Sequence, residues 1–191
     1  MNDMYSHFTC HFLFLGNLIP EKGVFILVDA CKILIERHYN FICSIAGGDS
    51  NFLSKEQLEQ KIQKYGISDQ VKVIGACYGN SKEELLNSVN VLVLPTMYSN
   101  ECFPLVIVEA MQHSLPIIST SVGAIPDMIT EGDNGILIPE NDPVVLADAM
   151  SKLIENPQLV YEMGSRGYTR FIRNYTMNSL ELNLISIFNG I

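Results

Sequence analysis

Six apolar runs of five to eight residues alternate with longer segments patterned as helices, and this alternation limits the fold more than any other feature. The runs are HFLFLG (11–16), FICSIAGG (41–48), VKVIG (71–75), VNVLVLP (89–95), LPIIST (115–120) and GILIP (135–139), and each reads as a β-strand. Helical patterns separate them. The region from Leu27 to Arg37 is amphipathic, and SKEQLEQKIQKYG (54–66) is a polar-faced helix stopped by Gly66. SKEELLNSV (81–89) opens with a predicted capping box, Ser81 and Glu84. Another helix is expected to begin at Pro104, because proline suits the first helical position. In DPVVLADAMSKLIEN (142–156), Asp142 is placed to cap the N-terminus, with Pro143 after it. A further helical region starts near Pro157, and the tail from Thr176 to Ile191 reads as one more.

Near-continuous apolar strands joined by helices predict a parallel sheet covered on both faces. The expected class is therefore α/β, a Rossmann-like doubly wound parallel sheet of about six strands. In the strand order 3-2-1-4-5-6 the winding reverses between strands 1 and 4, and ligands sit outside the carboxyl ends of that pair. GNLIPEKG (16–23) and TMYSNEC (96–102) would then face each other across a crevice. The expected division is an N-terminal segment (1–10), a Rossmann-like domain (11–175) and a C-terminal helical tail (176–191). No repeat, low-complexity stretch or linker divides it further.

Composition removes several classes of function. A net charge of −9 argues against nucleic acid and against an anionic membrane as direct partners. No apolar run is long enough for a bilayer span, and MNDMYSHFTC shows no basic region followed by an apolar one, so no secretory signal is expected. Cys10, Cys31, Cys43, Cys77 and Cys102 form no CxxC pair and no zinc spacing, which points to a reducing, cytoplasmic setting. No GxGxxG follows the first strand and no GxxxxGK[ST] is present, which weakens nicotinamide, flavin and P-loop readings. No metal site is expected, because neither Asp-x-Asp nor a His/Cys cluster appears.

The chemistry concentrates in NECFPLVIVEAM (100–111), where Glu101 and Glu109 lie eight positions apart. On spacing alone, such a pair is readily a solvated stripe. Its place after strand 4 favours a site: Glu101 would look into the crevice and Glu109 would follow two turns along the helix. The free N–H groups of that helix start, from Leu105 and Val106, suit a phosphate. Carboxylates accept strongly from sugar hydroxyls, and phosphate flanked by hydroxyls describes a sugar nucleotide. Lys22 can neutralise a diphosphate, or it can be a plain surface lysine at a helix start. Gly16 and Gly23 allow close backbone approach, or serve as turns. His113 reads as a surface or partly buried helix residue and Cys102 as a small filler.

ECFPLVIVEAM resembles the E-x7-E signature of retaining glycosyltransferases of family 4, which have the GT-B fold. FLFLGNLIPEKG, IAGGDS, VKVIGACYG, VNVLVLPTMYSNECFP, LPIISTSVGAIPDMI and DNGILIPENDP resemble further family segments in the same order, over about residues 11–175. The resemblance implies one half of a GT-B fold, the C-terminal donor-binding half, without the N-terminal acceptor domain. It implies that Glu101 contacts donor sugar hydroxyls, Glu109 the ribose and Lys22 the diphosphate. The Phe103 to Val106 backbone would lie near the phosphates, with Gly16 and Asn17 on the opposite loop, and Ile74, Gly75 and Ala76 near the base. The substrate implied is a UDP- or GDP-sugar, with no further cofactor, and the acceptor a glycan or lipid-linked sugar.

One departure is Asn17, where the family usually has arginine. Asparagine cannot reproduce arginine's bidentate, permanently charged grip on a diphosphate, and the exchange counts against full activity. Cys102, where glycine is common, is milder. The competing expectation is a non-catalytic nucleotide-binding module, or a half-enzyme that needs a partner. The apolar tail LELNLISIF (180–188) supports it, because in the family that helix crosses to the other domain.

Overall fold

The computed structural model describes residues 8–189. Most of the N-terminal segment (1–7), where a secretory signal was not expected, and the last two residues of the tail lie outside the described residues.

Six strands form one parallel sheet: β1 (Cys10–Leu15), β2 (Phe41–Ala46), β3 (Val71–Gly75), β4 (Val91–Leu94), β5 (Ile117–Thr120) and β6 (Gly135–Ile138). Their spatial order is β3-β2-β1-β4-β5-β6, with every pairing parallel. β1 pairs with β2 from Cys10↔Phe41 to Leu15↔Ala46 and on its other side with β4 at Phe12↔Val91. The winding therefore reverses between β1 and β4, as the alternation predicts. Because parallel crossovers follow a right-handed rule, winding in opposite directions from the centre places helices on both faces.

Burial follows from this placement. In β1, Phe12, Leu13 and Phe14 are completely buried, because a central strand has no solvent face. β3 at the edge alternates buried Val71 and Val73 with exposed Lys72 and Ile74. The helices are α1 (Val24–Glu36), α2 (Lys55–Tyr65), α3 (Gly79–Ser88), α4 (Leu105–Gln112), α5 (Ile125–Met128), α6 (Pro143–Glu155), α7 (Pro157–Asn174) and α8 (Met177–Asn189). α1 packs on α6, and α4 on α7.

The helix starts differ from expectation in three places. α1 begins at Val24, not Leu27, because a 3-10 turn at Pro20–Lys22 and the left-handed Gly23 (φ 78°) aim the chain into a helix earlier. Pro104 is the residue before α4, not its first helical residue. The predicted capping box at Ser81 and Glu84 does not form. α3 starts two residues sooner, after Tyr78, and Ser81 Oγ donates to the Tyr78 carbonyl at 2.8 Å. A capping box stands instead at the head of α2, between Ser54 and Gln57. Asp142 does cap α6, accepting from the N–H groups of Val144 and Val145 at 3.0 Å each.

Candidate functional site

The loop after β1 and the loop after β4 are stitched together at the carboxyl end of the sheet. Met97 N–H donates to the Glu21 carbonyl at 2.7 Å. A Cβ on Gly23 would fall 1.9 Å from the Pro95 carbonyl oxygen, so only glycine permits this approach. The loop after β2 closes from the other side, with Leu18 N–H donating to the Gly48 carbonyl at 2.9 Å.

Two lysine–glutamate pairs line the crevice so formed. Lys22 Nζ lies 3.2 Å from Glu101 Oε2, with side chains 20% and 9% exposed. The same ammonium sits 5.9 Å from the centre of the Tyr98 ring, and Thr96 Oγ1 lies 3.5 Å from Glu101 Oε2. The Glu101 backbone is held from behind: a Cβ on Gly123 would lie 1.7 Å from its carbonyl oxygen. The second pair joins Lys82 of α3 to Glu109 of α4 at 2.6 Å, with side chains 26% and 31% exposed. Both groups keep part of their surface in water, so the pair stays within reach of a ligand entering the crevice.

Glu109 faces a cavity of about 190 Å³ whose walls include Gly16, Asn17, Gly48, Tyr78, Lys82 and Val106. Gly16 connects this cavity with the first pair, since the Lys22 side chain packs 3.7 Å from where a Gly16 Cβ would stand. At the foot of α4, the N–H groups of Leu105 and Val106 have no intrahelical acceptor. The arrangement offers two carboxylates, two ammonium groups and a helix N-terminus. That set can accept hydrogen bonds from hydroxyls and donate to an anion at once.

The expected site residues are distributed as follows. Gly16, Asn17, Val106 and Glu109 share the cavity, and Lys22 and Glu101 adjoin it as an ion pair. The side chains of Phe103 and Leu105 do not line it; both are exposed, and Phe103 meets the Tyr175 ring edge-on at 6.0 Å. Ile74 and Gly75 stop short of the cavity as well. The next three residues, Ala76, Cys77 and Tyr78, form that wall. The Gly75 carbonyl instead accepts from Gly47 N–H at 2.8 Å.

Lys82 and Tyr78 were not anticipated. Lys82 reads in sequence as one polar position of an ordinary surface helix, and its partner lies 27 residues away. His113 is largely buried: Nδ1 lies 2.8 Å from the Glu109 carbonyl and Nε2 2.9 Å from Glu83 Oε2. Cys102 is exposed and carries a free thiol. Among the described residues no group of three or more acidic, histidine or cysteine side chains is placed to hold a metal ion. No described helix is long and apolar enough to cross a membrane.

Sheet order, crevice and flanking glycines define a Rossmann-like domain of the kind that forms half of a GT-B fold. The chain belongs to the family Glycosyl transferases group 1, whose pattern it matches over residues 10–170. It is 32% identical over 155 residues to an uncharacterized glycosyltransferase of Methanocaldococcus jannaschii, covering 81% of this chain and 41% of that one. It is 29% identical over 159 residues to the D-inositol 3-phosphate glycosyltransferase of Streptomyces bingchenggensis, covering 80% and 34%. The chain thus spans well under half the length of these curated relatives. Among solved structures, the C-terminal domain of a glycosyl transferase group 1 family protein from Francisella tularensis superposes with a TM-score of 0.77 at 23% identity, covering 88% of this chain and 87% of that one. Anabaena HepE in complex with UDP gives 0.83 at 20% identity, covering 96% and 49%.

Proposed function

We propose that residues 11–175 bind the nucleoside-diphosphate-sugar donor of a retaining, family 4 type glycosyltransferase, with residues 176–191 as a tail to that unit. The observation that carries the reading is the convergence of the Lys22–Glu101 pair and the Glu109 cavity on the free N-terminus of α4. The similarity to HepE, which has been crystallised with UDP and with UDP-glucose, supports a uridine or related nucleotide as the ligand class.

In this reading the pyrophosphate sits over the first-turn amides of α4, Glu109 takes the ribose hydroxyls and Glu101 the donor sugar. Cleavage of the anomeric C–O bond leaves negative charge on the nucleoside diphosphate. Lys22 and the α4 amides stabilise that charge as it develops. Glu101 positions the sugar rather than moving a proton. The incoming acceptor hydroxyl loses its proton to the leaving phosphate. The free thiols support a cytoplasmic setting.

Titration with UDP and GDP, followed by backbone NMR shifts, tests the reading. Shifts confined to residues 16–23, 76–82 and 101–109 are expected, and no response there at millimolar nucleotide refutes it.

A second reading is favoured by α8, where Met177, Leu180, Leu184, Ile185 and Phe188 are all exposed. Apolar surface of that extent is expected to be covered, and the greater length of the relatives supports an acceptor-binding half as its cover. Under this reading the chain binds donor but does not turn it over alone. Steady hydrolysis of the donor by the isolated chain contradicts it.

A further inference from the structure

The Lys82–Glu109 pair has no role in the donor scheme above, yet it occupies the carboxylate that scheme assigns to the ribose. A nucleoside diphosphate carries more than one negative charge, and Lys22, the cation expected to meet it, already faces Glu101. The loop that carries Lys22 adds no second cation, because Asn17 is neutral. Among the described residues lining the Glu109 cavity, Lys82 is the only lysine or arginine. We propose that Lys82 is the second diphosphate-binding cation of this site, giving up Glu109 to the ribose and turning its ammonium to the phosphates when donor enters. This rests on the donor-binding reading.

Three observations carry it. Lys82, Asn17 and Val106 line one cavity, so a lysine hinged on α3 has the space between Glu109 and the α4 N-terminus in which to swing. The contact it gives up is a partly exposed ion pair, for which the diphosphate offers the ammonium another anion in exchange. And α3 does not depend on Lys82 for its place, because its Leu86 is completely buried in the core and the adjacent Glu83 lies 2.9 Å from His113 of α4. A lysine is suited to this, since its ammonium is a mobile point charge on a flexible stem rather than a fixed fork. Two ammonium groups, one from each side of the helix start, would then embrace the diphosphate.

The test compares ligands with and without phosphates. Wild type, Lys82→Met, Lys82→Arg and the double variant Asn17→Arg/Lys82→Met are titrated with UDP, GDP and their nucleosides. Lys82→Met is expected to weaken the preferred diphosphate about tenfold or more, the worth of one charged hydrogen bond. It should leave the nucleoside within about twofold, because a nucleoside has no phosphate for Lys82 to meet. Lys82→Arg should retain most affinity, and Asn17→Arg should restore it in the Lys82→Met background. Equal losses for nucleoside and diphosphate would show that Lys82 merely orients Glu109, and would overturn the proposal, as would no loss. Should wild type bind neither diphosphate, the donor-binding reading falls too, whereas normal binding with an indifferent Lys82→Met sinks this inference alone.

Discussion

Replacing Gly123 by alanine separates two ways in which a glycine can matter, and it bears directly on Glu101. Gly123 has φ 56°, in the left-handed region, and its Cβ would stand 1.7 Å from the Glu101 carbonyl oxygen. An ordinary contact begins near 3.4 Å, so the two backbones must part by about 1.7 Å. The left-handed conformation costs an alanine about 1–2 kcal/mol. Relief of an overpacked contact adds about 1–3 kcal/mol, for a total of about 2–5 kcal/mol. Gly66 supplies the control, since it has φ 70° at the C-terminus of α2 and nothing within 4 Å of its Cβ position. Gly66→Ala should therefore show the conformational cost alone. Urea denaturation of both variants gives the stability difference, and nucleotide titration reads the site. A displacement of 1.7 Å also separates Glu101 from Lys22, so Gly123→Ala should weaken donor affinity while Gly66→Ala does not. If Gly123→Ala is no less stable than Gly66→Ala and binds as wild type does, the close approach is not what holds Glu101.

Other perturbations reach different parts of the molecule. Glu109→Ala should weaken nucleoside diphosphate binding by about 1.5–3 kcal/mol, the worth of a hydrogen bond to a charged group; calorimetric affinity within twofold of wild type refutes the ribose role. Asp142→Ala removes the acceptor for Val144 and Val145 N–H and should cost about 0.5–2 kcal/mol in urea denaturation, with no effect on nucleotide affinity. Burial holds the His11 imidazole below its ordinary value of 6.5, against a smaller opposing hydrogen bond at Ser88. The unfolded chain therefore binds more protons below that value, and stability falls as pH drops through it. His11→Gln should flatten the decline between pH 7 and 5; an unchanged slope would show that other groups cause it.

Sequence by itself determined the sheet and which two loops face each other across its carboxyl end. Short, mostly apolar runs with helical patterns between them have few compact solutions, and the parallel order with a reversal between β1 and β4 is one of them. Once that order is known, the loops bearing Lys22 and Glu101 must meet, and they do so at 3.2 Å. Helix starts were less legible. Ser81 and Glu84 have the spacing of a capping box, but Gly79 lets the chain turn into α3 two residues earlier, and the box has no terminus to cap. Only the tertiary structure joined Lys82 to Glu109 and set Gly123 against Glu101. Those contacts depend on how far neighbouring helices and loops stand apart over the sheet. Local pattern carries no record of that distance, since a surface lysine and a turn glycine read the same wherever the fold delivers them.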